Sequence, residues 1–167
     1  MATPTNLPAS QTTGNVLTAA YVNDLRGAFR VLQVVQGTTS TSVTNSTITM
    51  ASTGLTASIT PQSTTSKILV VVNLNGGDKS SANANNAISA RVVRGATEIT
   101  KFAFSAGYTG TALNIRTGTL GTMYLDSPAT IAATTYTVEF ANITAAASVS
   151  VQIGSEMSTI TLMEISA

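Results

Sequence analysis

From Val31 onward the apolar residues of this chain recur every second position, in short runs closed by Gly, Pro, Asn or Ser. A helix would scatter such residues around its whole circumference, whereas a strand collects them on one face. The pattern therefore demands paired strands. Leu55, Ala57 and Ile59 alternate up to Pro61, Tyr136, Val138 and Phe140 alternate over residues 135–140, and Val149, Val151 and Ile153 do so over 148–153. Residues 44–50 alternate around Ile48, and 31–36 (VLQVVQ) form a short β-branched run before Gly37.

Two runs are apolar on both faces: 67–74 (KILVVVNL) and 158–165 (STITLMEI). A strand of that kind is central, or its outer side is covered by something else. Residues 87–94 and 97–105 read as a hairpin closed by Gly95-Ala96. Residues 113–125 contain Gly118 and Gly121 and read as a bulged or bent strand. The stretch 76–86 (GGDKSSANANN) reads as a loop. Eight to ten short strands, no interior helix and no fixed repeat give an all-β fold, an antiparallel β-sandwich or jelly roll.

The first 30 residues differ. Pro4, Pro8 and Gly14 interrupt a polar arm over 1–17, and Thr18 is suited to cap a short helix beginning at Ala19. Val22, Leu25, Phe29 and Leu32 are spaced to share one face of that helix, which docks it on the next domain or associates helices around an axis. The expected division is an anchoring arm and helix over 1–30 and a β domain over 31–167.

Charge and chemistry narrow the function. Charged residues are 9% of the chain and the net charge is +1, so there is no electrostatic footprint for nucleic acid or an anionic membrane. No apolar run approaches the ~18 residues of a membrane-spanning helix. Histidine and cysteine are absent, which excludes imidazole and thiolate metal sites, His-dependent nucleophiles and disulfides. The carboxylates Asp24, Asp78, Asp126, Glu98, Glu139, Glu156 and Glu164 show no spacing that faces two of them across a cleft. Gly76-Gly77-Asp78-Lys79-Ser80 lacks the spacing of a phosphate-binding loop. Asn45-Ser46-Thr47 and Asn142-Ile143-Thr144 match the glycosylation pattern, which arises readily by chance in a chain with 30 Thr and 18 Ser. No enzyme, cofactor or metal is expected. Glu164 lies between Met163 and Ile165 near the end of a two-faced strand, either exposed at a frayed end or partnered, for instance by an arginine across a subunit interface. Arg91 and Arg94 are spaced to lie on opposite faces of their strand, one of them a candidate partner for Glu98 or Glu164.

The stretch Gly14-Asn15-Val16-Leu17-Thr18-Ala19-Ala20-Tyr21-Val22-Asn23-Asp24-Leu25 resembles the opening of small tail-fibre and other virion proteins of tailed bacteriophages. The β domain resembles the jelly-roll modules of such proteins, similar in fold to tumour-necrosis-factor and complement-type heads. Residues 31–36, 54–61, 66–70, 124–128, 135–138 and 158–165 carry that likeness, and their order along the chain is its strongest element. The resemblance implies a non-enzymatic, homotrimeric virion component, with 31–36 as the first strand of the head. No long shaft separates arm from head, which leaves room for a short fibre, a spike or a capsid decoration protein.

The expectation is a virion protein whose partners are its own copies and other virion proteins of the tail or capsid. Val22, Leu25, Phe29, Leu162, Glu164 and Ile165 are expected to make anchoring or trimer contacts. Asp78, Lys79 and Tyr108 are expected in tip loops that could meet a host surface glycan.

Overall fold

The computed structural model describes Thr18, Ala19 and residues 31–166. The arm and helix expected over 1–30, with Val22, Leu25 and Phe29, lie outside the described residues except for Thr18 and Ala19. The β domain contains ten strands: β1 Val31–Thr39, β2 Val43–Asn45, β3 Ala51–Ile59, β4 Lys67–Lys79, β5 Ile88–Arg94, β6 Thr97–Ala106, β7 Ile115–Asp126, β8 Thr134–Asn142, β9 Val149–Val151 and β10 Ser158–Ile165.

All pairings are antiparallel, and they nest. The first strand pairs with the last, the second with the ninth, the third with the eighth, the fourth with the seventh and the fifth with the sixth. The domain is one long hairpin folded over on itself into two sheets. One sheet runs β1-β10-β4, with β7 on the far edge of β4 and β9 and β2 alongside its end; the other runs β3-β8-β5-β6. Alternation places Ile68, Val70, Val72 and Leu74 of β4 inside, opposite Leu55, Val92, Val138 and Phe140, all buried. Val31, Ile165, Lys67 and Asp126 mark one end of the sandwich, the base, by register. Lys79, Ile115 and Val149 mark the opposite end.

At the closed side β1 lies against β3, and the approach is close enough that a Cβ on Gly37 would collide with the Thr56 carbonyl. The Arg94–Thr97 hairpin turns through Gly95 in the left-handed region (φ 55), as Gly at the first turn position allows.

Three elements depart from expectation. β4 does not stop before Gly76 but continues to Lys79, because Gly76 and Gly77 form a bulge opposite Gly118 that lets the ladder resume at Asp78 and Arg116. The 44–50 strand is cut short after Asn45, whose side chain accepts bonds from the Thr47 amide (2.8 Å) and hydroxyl (2.9 Å) and turns the chain. The 148–153 strand ends at Val151, where Gln152 adopts φ 55 and leads into a 3-10 turn at Ile153–Ser155.

Candidate subunit interface

The two sheets present opposite chemistry to their surroundings. On the outer face of the β3-β8-β5-β6 sheet, hydroxyls pair across strands, Ser58 with Thr135 at 2.7 Å and Thr56 with Thr137 at 3.3 Å. Beside them Arg91 bridges Glu98 at 2.9 Å and Glu139 at 2.7 Å. Those hydrogen bonds, Glu98 first and then Glu139, raise the Arg91 pKa above its ordinary value and keep the guanidinium charged. Phe104 of β6 is an apolar exception in this sheet, 66% exposed with the Lys101 ammonium 5.8 Å from its ring centroid, but the paired hydroxyls and charges suit the rest of the face to water.

The outer face of the other sheet is not suited to water. Register aligns Val34 of β1, Met163 of β10, Leu69 of β4 and Leu125 of β7 in one row across four strands. The next row holds Gln36, Thr161, Val71 and Met123, and Ile165 lies beyond Met163. Met123 is 73% exposed, Val34 57% and Leu125 54%, with Leu69, Val71, Met163 and Ile165 half-buried. Together they leave on the order of 500 Å² of contiguous apolar surface in water, near the upper end for an isolated soluble domain. Charge is absent from both rows.

The most exposed members stand on the two edge strands, Met123 and Leu125 on β7 and Val34 on β1, and at the β7 edge Tyr124 is also exposed although it faces the partner sheet. Beside Met123 the face is hollowed. Gly121 opposes Asn73, and a depression of about 330 Å³ opens between Val71, Asn73, Gly121 and Met123.

Of the residues singled out from sequence, Ile165 lies on this face, whereas Leu162 points inward and is fully buried. Glu164 is neither at a frayed end nor paired with an arginine. It is fully buried, accepting from the Gln33 side chain (2.6 Å) and the Gln62 backbone amide (2.7 Å), so it joins β10 to β1 and to the chain after β3. Arg94 pairs with Asp126 at 2.7 Å rather than with a glutamate.

Lys79 is not a tip-loop residue. It ends β4 fully buried, its ammonium donating to the carbonyls of Ala84 and Thr111 and to the Thr109 hydroxyl, and so ties together the segments that follow β4 and β6. Asp78 is also in β4, 3.2 Å from Arg116. Tyr108 is exposed, as expected for a loop. Val34, Met123 and Leu125 were missed as a group, because their adjacency depends on which strands pair. The detectable signal was the alternation of Met123 and Leu125 after Gly121.

Among the described residues no cluster of three or more acidic side chains is arranged to hold a metal ion. Asp78, Asp126, Glu98, Glu139 and Glu164 each hold a partner within the fold. Asn45 and Asn142 are buried turn-forming residues whose amides donate to backbone carbonyls.

No protein-family model and no curated protein matches this chain. Among solved structures 11 chains match. One is the crystal structure of the infectious bursal disease virus VP2 subviral particle, 14% identical with a TM-score of 0.40, the match covering 82% of this chain and 38% of that one. This chain therefore spans well under half of that neighbour's length. A likeness this distant says nothing about what the chain does.

Proposed function

We propose that this chain is a non-enzymatic structural protein of a virion, a homotrimer whose subunits meet through the apolar outer face of the β1-β10-β4-β7 sheet. The observation that carries the reading is the contrast between that face and the hydroxyl- and charge-bearing face of the other sheet. A sandwich working as an isolated monomer would be solvated on both sides. Burying about 500 Å² on each of two copies is worth roughly 25 kcal/mol at 25 cal/mol per Å², set against an association cost of 4–15 kcal/mol and the further cost of ordering the interface side chains. Closed symmetry consumes the face without leaving an open end.

The nested strand order is that of a jelly roll, an arrangement used in capsid and lectin domains. The resemblance of residues 14–25 to tailed-bacteriophage virion proteins supports attachment through the arm over 1–30, as a short fibre or other tail-associated component. Capsid decoration is the second reading. It is favoured by the start of β1 at Val31, directly after the arm, with no shaft between them.

Leu125→Asp places a charge at the exposed β7 end of the apolar row. Sedimentation velocity should show the parent as a trimer at micromolar concentration and the variant as a folded monomer. A monomeric parent would sink the proposal. Copy number in purified particles relative to the coat protein then separates the two positions: a ratio near one means decoration, a small ratio the tail, and absence removes the virion reading.

A further inference from the structure

Asn75-Gly76 is the single Asn-Gly pair in the sequence, and it lies in the β4 bulge between the register pairs Leu74–Leu120 and Gly77–Gly118. All four polar groups of Asn75 are engaged. Its backbone amide donates to the Ser158 hydroxyl (2.9 Å), and its carbonyl accepts from the Gln152 amide (2.9 Å). In the side chain, Nδ2 donates to the Met157 carbonyl (2.5 Å) and Oδ1 accepts from the Thr119 hydroxyl (2.6 Å). One residue thus joins β4 to β7, to β10 and to the turn over 152–157.

Neither member of the pair is free to change. Gly76 has φ 63, and a Cβ there would lie 2.5 Å from the Ile153 nitrogen. At position 75 the side chain must both donate and accept, which an ionised aspartate cannot do. The fold therefore requires the dipeptide most prone to lose its side-chain amide. With no Cβ on the glycine, its nitrogen is unshielded and can attack Asn75 Cγ. That nitrogen gives its proton to solvent as the new C–N bond forms, while Nδ2 takes up a proton and leaves as ammonia. Water then opens the succinimide at either carbonyl, giving aspartate or isoaspartate.

We infer that Asn75 is a latent deamidation site, held shut by its four-point clamp and released when the 152–157 turn lifts from β4. Ring closure needs the side chain to turn and the backbone to swing the Gly76 nitrogen onto Cγ. Thr119 and Met157 hold the first, Ser158 and Gln152 the second. The turn is the weak member. Gln152, Gly154 and Ser155 all lie in the left-handed region (φ 55, 74 and 61), which is costly for the two that carry side chains. A strained turn opens ahead of the ladders around it. The change is also one-way. An aspartate at 75 would set a carboxylate against the Met157 carbonyl oxygen, and isoaspartate would add a backbone carbon to the bulge, so the clamp could not close again.

The test follows the full chain at mildly alkaline pH, with peptide mapping by mass spectrometry reading the loss of the Asn75 amide. Thr119→Val removes the donor to Oδ1 and keeps the side-chain shape. Tyr136→Phe, at the base of the sandwich, loosens the fold without touching the clamp. The folded parent should deamidate at Asn75 at least roughly tenfold more slowly than the same chain unfolded in urea. Thr119→Val should react several-fold faster than the parent, and Tyr136→Phe at the parent's rate. Equal rates for the folded and unfolded parent, or for Thr119→Val and the parent, would overturn the inference. So would an equal acceleration in Thr119→Val and Tyr136→Phe, which would trace the reaction to global unfolding rather than to the clamp. If Thr119→Val does not fold, Ser158→Ala, which releases the Asn75 backbone amide, takes its place in the comparison.

Discussion

Tyr136 offers a quantitative handle on what joins the two sheets at the base of the sandwich. The ring is fully buried and its hydroxyl donates to Asp126 at 2.7 Å. The same carboxylate oxygen accepts from Arg94 at 2.7 Å. Asp126 belongs to β7 and its two partners to β8 and β5, so the cluster ties one sheet to the other. Burial, and then the hydrogen bond to Asp126, push the Tyr136 phenol well above its ordinary pKa.

A raised folded-state value means that the folded chain keeps this proton after the unfolded chain has lost it. Below pH about 10 both states are protonated and the contribution is constant. Above it the unfolded state binds fewer protons, so stability falls by about 1.4 kcal/mol per pH unit, roughly 2 kcal/mol by pH 11.5. Tyr136→Phe removes both the bond and the titration. At neutral pH it should cost about 2 kcal/mol, the loss of one hydrogen bond to a charged acceptor that retains Arg94. The gap between parent and variant should therefore nearly close by pH 11.5. Urea denaturation followed by far-UV circular dichroism measures it without a tryptophan, which the chain lacks. Lysine titration is common to both proteins and cancels in the difference. A gap that stays constant from pH 7 to 11.5 would refute the reasoning, because it would mean the phenol ionises equally in both states.

Two further outcomes follow from close approaches elsewhere. Gly37→Ala drives a methyl into the Thr56 carbonyl and should cost about 3 kcal/mol, seen as a lowered melting temperature; an unchanged one would mean that β1 does not pack on β3 as described. Glu164→Ala strands the Gln62 amide and leaves the Gln33 side chain only the Thr60 carbonyl, and should cost about 3 kcal/mol, with Glu164→Gln intermediate because one acceptor remains. Equal losses in urea denaturation for the two Glu164 variants would argue against the paired acceptor role.

Local pattern made much of the fold legible. The two-faced apolar run 158–165 coincides with β10 at both ends, and Gly95 marks the turn between β5 and β6. What escaped was set by distant partners. Gly76 and Gly77 read as loop because glycine disfavours strands on average, yet opposite Gly118 they continue one. Lys79 reads as a surface lysine until two segments after β4 and β6 close over it with their oxygens. Glu164 is separated from Gln33 by 131 residues, a distance no local pattern bridges. The apolar face was half legible: two-faced runs at 67–74 and 158–165 required a cover, but the contribution of Val34 and Met123 emerged only once β1 and β7 were known to flank them.

The nested pairing of first strand with last has a mechanical consequence. Val31 and Ile165 are register partners at the base, while the segments tied by Lys79 lie at the other end. A force separating Val31 from Ile165 would peel β1 from β10 one hydrogen bond at a time. A force applied between Val31 and the far end instead runs along β1, loading its eight register pairs with β10 in parallel. A domain held at the start of β1 and pulled from its distal segments thus meets traction in shear, the direction in which a β-ladder resists best.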